Sequence, residues 1–214
     1  MNKYILTLAF SLFFIVVAQA TDPAFIAAMQ KQLEAKKTIG TYEQSQEVTN
    51  GFLRIAEAAD TEWLPLYYAA LLKTEAAFRF DIDKDKSFDE AMELVKKAQK
   101  ISADNSELTA LEGYITMGKI SIDPGSRGQS LSGKAMQLFG KAIKQDRENP
   151  RAVSLMSQME LGMADFFGNG PEKACGMARM SLELYKKEEA KITEEYILPT
   201  WGKMQADQVT AKCN

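Results

Sequence analysis

The side chains most pointedly spaced for chemistry are the oxygens of Asp81, Asp83, Asp85, Ser87 and Asp89, one at every second position. Alternate oxygen ligands in a loop wrap a hard cation such as calcium. The helix–loop–helix calcium site also asks for glycine at position 86 and glutamate at position 92, where this chain has Lys86 and Met92. Lys84 and Lys86 offset the local negative charge. The spacing therefore reads as a solvated connection between helices, with Ser87 capping the second, and no metal site is expected.

Histidine is absent, which removes Ser-His-Asp and Cys-His nucleophile systems, histidine metal centres and haem ligation through imidazole. The chain has neither a P-loop nor a Gly-x-Gly-x-x-Gly turn, so nucleotide chemistry has no cradle. Glu188/Glu189 and Glu194/Glu195 are paired acids in a strongly charged stretch. A hydrolase would need two carboxylates converging in a pocket with one pKa raised, and nothing in the spacing brings that about. Met156, Met159 and Met163 share a helical face near Phe166, with Met177 and Met180 following. Methionines so placed fill a core, line an adaptable peptide groove or bind a soft metal.

With 26 basic and 29 acidic side chains and a net charge of −3, the chain lacks the polycationic character that nucleic-acid binding requires. Lys3, the apolar run over residues 5–18 and Ala18-Gln19-Ala20 before Thr21 form a signal-peptide pattern, too short for a committed membrane span. Residues 1–20 are thus expected to be removed, leaving 21–214 as one soluble domain in the periplasm or cell envelope, without direct membrane insertion. Export makes a Cys175–Cys213 disulfide allowed. Two separate thiols and an intermolecular link are the alternatives.

The elements that must position these residues are helical, because the apolar residues recur with a period near 3.6 between capping signals. Asp22-Pro23, Thr41/Gln44, Thr61, Ser87/Glu90, Asp104/Glu107 and Asn149-Pro150 each read as a start. They predict helical pairs over 23–59, 62–102, 105–145 and 150–187, with a terminal helix over 199–211. Residues 123–129, Asp-Pro-Gly-Ser-Arg-Gly-Gln, are the most loop-like stretch, and 186–195 read as a solvated helix end or linker.

Three segments share one pattern of small residues. Ala91, Val95 and Ala98 are matched by Ala135, Phe139 and Ala142, and more loosely by Ala174, Ala178 and Ser181. Small residues at such spacing let short helices pack closely in a stacked array. Together with Asn149-Pro150-Arg151-Ala152, Phe166-Phe167-Gly168-Asn169-Gly170, Pro171-Glu172-Lys173-Ala174 and Pro199-Thr200-Trp201-Gly202, this set resembles the tetratricopeptide-repeat superfamily. It is most similar to divergent exported members of Bacteroidota-type bacteria. The anchors Ala91, Ala135 and Ala174 stand 44 and 39 residues apart, against a period of about 34 in strict repeats.

The resemblance implies an all-α, right-handed solenoid with a C-terminal capping helix, in which Trp201 plugs the exposed end of the stack. It also implies a noncatalytic scaffold or adaptor that binds a protein or peptide, with no catalytic residue, cofactor or metal. First helices of such pairs line the concave face, which makes Tyr67, Tyr114, Met117, Arg151 and Gln158 the candidate groove contacts. The alternatives are an envelope hydrolase using an acidic pair, and a structural protein whose groove is filled by its own N-terminal helix.

Overall fold

The computed structural model describes residues 22–213; the signal-peptide reading of 1–20 lies outside them. Among the described residues the chain forms nine helices: α1 (Pro23–Lys37), α2 (Tyr42–Ala58), α3 (Leu64–Arg79), α4 (Lys84–Ile101), α5 (Ser106–Ile122), α6 (Pro124–Gln145), α7 (Pro150–Phe167), α8 (Glu172–Glu189) and α9 (Lys203–Ala211). Each packs on its neighbour in sequence, and α3, α5, α7 and α9 also pack on one another in series. No comparable contact joins α2, α4, α6 and α8 to each other. The odd helices therefore form the inner layer of a curved stack and the even ones the outer layer. Burial follows the layers: α3, α5 and α7 bury residues on every side, whereas α6 buries only the stripe Ala135, Phe139, Ala142. The fold is the all-α, tetratricopeptide-like array of helical pairs, with the C-terminal helix packed against α7 and α8.

Close approach within the stack depends on missing side chains. Gly113 and Gly118 of α5 accept the rings of Phe139 from α6 and Phe88 from α4. A Cβ at Gly113 would stand 2.7 Å from Phe139 Cδ1, and one at Gly118 2.5 Å from Phe88 Cε1. Gly113→Ala gains about 1 kcal/mol of helix propensity but overpacks a site where insertions typically cost about 1–3 kcal/mol. The unfolding free energy from urea titration is expected to fall by about 1–2 kcal/mol. Gly133→Ala, on the exposed face of α6 where a Cβ meets nothing, should instead raise it by about 0.5–1 kcal/mol.

Several local expectations are corrected. Residues 123–129 open α6 rather than forming a loop. Asp123 Oδ1 accepts from Ser126 N at 3.2 Å, Pro124 takes the first helical position, and the Arg127 guanidinium forks onto Asp85 at 2.6 and 2.8 Å. A capped first turn and a bidentate ion pair outweigh the flexibility of Gly125 and Gly128. Asp83, not Ser87, caps α4; Ser87 lies one turn inside and donates to Lys73 O at 2.9 Å. The alternating acids are thus dispersed, with Asp83 capping, Asp85 on Arg127 and Asp89 on Lys119. Among the described residues no group of three or more His, Cys, Asp or Glu is placed to hold a metal ion. Asn105 replaces Asp104 as the cap of α5, and α3 begins without the Thr61 cap. The methionines divide: Met159 is core, Met156 packs against it, and Met180 is exposed.

Candidate functional site

The first turns of the inner helices supply the side chains that meet on the concave face. Tyr67 of α3, Glu107 of α5 and Arg151 of α7 occupy similar places in successive pairs, so stacking brings them into line. Arg151 is 3% exposed. Its Nε donates to both oxygens of Glu107 at 2.8 Å, while its terminal nitrogens grip Glu188 at the end of α8 at 2.9 and 2.5 Å. Tyr67 Oη donates to Glu107 Oε2 at 3.0 Å. One guanidinium thereby holds two carboxylates through planar, charge-assisted contacts, the arrangement for which arginine is suited. Burial alone would lower the guanidinium pKa, but Glu107 and Glu188 outweigh it and hold it above its ordinary value. Burial, then Glu107, pushes the Tyr67 phenol well up, so it stays a neutral donor.

Between α8 and α9 the chain leaves helical geometry and crosses this network. Over residues 190–202 it runs back along the concave face, exposed at 190–195 and tied down further on. Gln30 Nε2 donates to Glu194 O and Tyr68 Oη to Ile197 O, the latter at 2.9 Å. Pro199 is buried. Trp201 stacks on Tyr114 with ring centroids 5.3 Å apart at 26° and donates from Nε1 to Tyr67 Oη at 2.7 Å. The hydrogen bonds run from Trp201 to Tyr67 to Glu107, which also accepts from Arg151; such chains reinforce one another in a poorly solvated setting. Gly202 then turns the chain into α9 at φ 104°, where a side chain would run into Tyr185 Oη.

This strap divides the concave face into two clefts that share Tyr196 and Leu198. The larger, about 610 Å³, lies towards α1 and has walls that include Leu33, Tyr68, Ile192 and Trp201, with Lys36 and Lys37 on its rim. The smaller, about 320 Å³, lies towards α7 and α8 and includes Trp63, Arg151 and Glu188. A third cleft, about 260 Å³, separates α7 from α9.

Of the residues expected to line an open groove, Tyr67, Tyr114 and Arg151 come together but are buried beneath the strap. In this conformation they face the chain's own C-terminal segment. Met117 is half-buried against the core, and Gln158 lines the third cleft with its Nε2 unpartnered. Trp201 does not plug the end of the stack; its indole has a planar surface and a donor to satisfy, and Tyr114 and Tyr67 provide for both. The segment that fills the groove is C-terminal, not the N-terminal helix. Sequence reasoning passed over Glu107, read only as a cap, and Glu188, read as part of a solvated charge run. The available signal was Tyr196-Ile197-Leu198-Pro199-x-Trp201, an apolar stretch directly after that charged run. Cys175 and Cys213 are joined in a disulfide, which fastens α9 to α8.

No protein-family model matches the chain, and no curated protein does. Among solved structures, the HusA haemophore from Porphyromonas gingivalis is similar at 26% identity and a TM-score of 0.78, over 91% of this chain and 94% of that one. A crystal structure of MamA is far less similar, at 11% identity and a TM-score of 0.42, over 80% of this chain and 87% of that one. The chain is an exported all-α protein related to that Bacteroidota haemophore. No described helix is long and apolar enough to cross a membrane.

Proposed function

We propose that the chain is a noncatalytic binding protein whose concave face takes a haem-class macrocycle. The observation that carries this reading is the likeness to a haemophore across nearly the whole of both chains. The larger cleft supports it. Its volume of about 610 Å³ falls in the range of small-molecule sites, roughly 300–1,000 Å³. Leu33 and Tyr68 offer apolar and aromatic surface for a flat ring, with Ile192 and Leu198 of the crossing segment beside them; on the rim Lys36 and Lys37, which pair here with Glu75 and Glu34, are the cations within reach of its carboxylates.

The donor set points to recognition through the ring rather than the iron. Haem iron is commonly held by histidine, thiolate, methionine or tyrosinate. The chain has no histidine, and both cysteines are in the disulfide. No methionine lines the larger cleft. Its two phenols, Tyr68 and Tyr196, have pKa values raised chiefly by burial, which disfavours tyrosinate. Titrations followed by Soret absorbance should therefore give saturable binding of haemin and of metal-free protoporphyrin with dissociation constants within about tenfold. Failure of both to saturate would sink the reading, and binding of haemin alone would place an iron ligand in the site.

A peptide or protein partner is a second reading, favoured by one specific feature: the groove already accommodates an extended segment, the strap itself. An acidic-pair hydrolase gains no such support, because the converging carboxylates Glu107 and Glu188 are both bound by Arg151.

A further inference from the structure

We infer that residues 190–202 are a displaceable strap, and that the Trp201 indole holds the place of a planar aromatic ligand on the groove floor. This deepens the haem-class reading and rests on it for the ligand. The indole is itself a flat ring, stacked on Tyr114 and satisfied by a single hydrogen bond to Tyr67 Oη. A flat ligand edged with a polar group would use the same two partners. Beneath and beside the indole the floor is aromatic, with Trp63, Tyr67 and Tyr68 ring against ring.

The strap is held lightly for a segment so central. It has no helical ladder of its own; Pro199 is its one buried residue, Ile197 and Trp201 pack against the core, and its side-on ties are the bonds from Gln30 and Tyr68 to its carbonyls, the bond from Trp201 to Tyr67 Oη and an exposed Lys191–Glu148 ion pair at 3.6 Å. Ile192 and Leu198 each remain 47% exposed, so the strap leaves apolar surface uncovered that a ligand in the adjoining cleft would bury. Both clefts lie against it, and lifting it would join them into one groove. Its ends are fixed by contrast. Residue 190 follows directly from α8, and residue 202 leads into α9, which is docked on α7 and α8 and pinned by Cys175–Cys213. The segment can therefore swing as a tethered loop between two anchored helices. Segments with few buried contacts open at lower free energy than the core, and a site covered by its own chain binds with an affinity reduced by the closed fraction.

Two measurements decide this. The first needs no ligand. Solvent exchange of the Trp201 indole N–H, followed by NMR, should be faster than that of the slowest backbone amides of α3 and α5 by at least two orders of magnitude, roughly the span between local and global opening. Tyr68→Phe, which removes only the bond to Ile197 O, should accelerate it about fivefold. Exchange at the rate of the slowest core amides would overturn the strap. The second compares metal-free protoporphyrin binding by the wild type and Trp201→Ala. Affinity should rise about fivefold or more as the closed fraction disappears. Weaker or unchanged binding would make Trp201 a wall or a bystander and overturn its placeholder role. Tyr68→Phe keeps the ring and the fold and should shift affinity in the same direction. If the wild type and Trp201→Ala both fail to bind any porphyrin, the haem-class reading falls and takes the placeholder with it, while indole exchange still decides the strap.

Discussion

Arg151→Met is expected to lower the unfolding free energy by about 3–5 kcal/mol, the range for removing one partner of a buried ion pair. The guanidinium is 3% exposed and satisfies Glu107 and Glu188 together. Methionine restores most of the volume but none of the charge, so two carboxylates are left facing each other in a poorly solvated place. Uncompensated buried charge is the costly part, not the lost attraction. The same logic gives an internal control. Glu107→Gln, Glu188→Gln and Arg151→Met combined remove all three charges, and the first of these substitutions retains a carbonyl to accept from Tyr67. That triple variant should return to within about 1–2 kcal/mol of the wild type, since neutral replacement of a whole buried network is often tolerated. Urea unfolding of the three proteins checks this. A single-variant loss under about 1 kcal/mol would mean that water already reaches the network. A triple variant as damaged as the single would locate the cost in packing instead.

The helices were legible in the sequence because local signals sufficed for them. Asp22-Pro23, Thr41/Gln44 and Asn149-Pro150 act as caps where their residue types predict, and Thr41 with Gln44 forms the full reciprocal box. Local signals failed where a distant partner decides. The start of α6 turns on Arg127 and Asp85, 42 residues apart, and no pattern within residues 123–129 contains that information. Ser87 and Glu107 have the right type and spacing for caps, but Lys73 O claims the first and Arg151 and Tyr67 claim the second. A short polar side chain near a helix start satisfies whichever partner tertiary packing delivers.

The site was legible in its parts and not in its state. Tyr67, Tyr114 and Arg151 were singled out because inner helices of a stacked array expose such residues to a groove. All three do reach that face, yet none is open to solvent. What closes them is a segment whose first half is so charged that it reads as solvated, and whose second half carries Pro199 and Trp201. Periodicity detects helices and strands; an extended strap packed by two or three aromatic contacts has no period to detect.

Breaking the Cys175–Cys213 bond is the other large effect. Sequence alone left pairing, separate thiols and an intermolecular link open, and the structure joins the two with Cα atoms 5.8 Å apart. The two positions are 38 residues apart, and a loop of that size corresponds to a stabilisation of about 3–4 kcal/mol in the chain-entropy account. The context argues that the bond is needed. α9 has nine residues, too short to persist alone, and its buried contacts centre on Ala206 and Val209. The cluster beneath it contains only Leu161, Ala174, Ala178 and Val209, with Cys213 against its edge. Cys175→Ala with Cys213→Ala should therefore lower stability by about 3–4 kcal/mol, and the loss should be local first. Amide exchange of α9 should rise sharply while α3 and α5 stay protected, because α9 docks chiefly on α7 and α8. The strap would then lose its far anchor, so the Trp201 indole should exchange faster in the same variant. Reduction of the wild type should reproduce both effects. A loss under about 1 kcal/mol would show that the apolar contacts of α9 suffice without the covalent link. A uniform loss of protection across α3, α5 and α9 would show that the terminal helix unfolds only with the whole stack, and that the strap has no hinge independent of it.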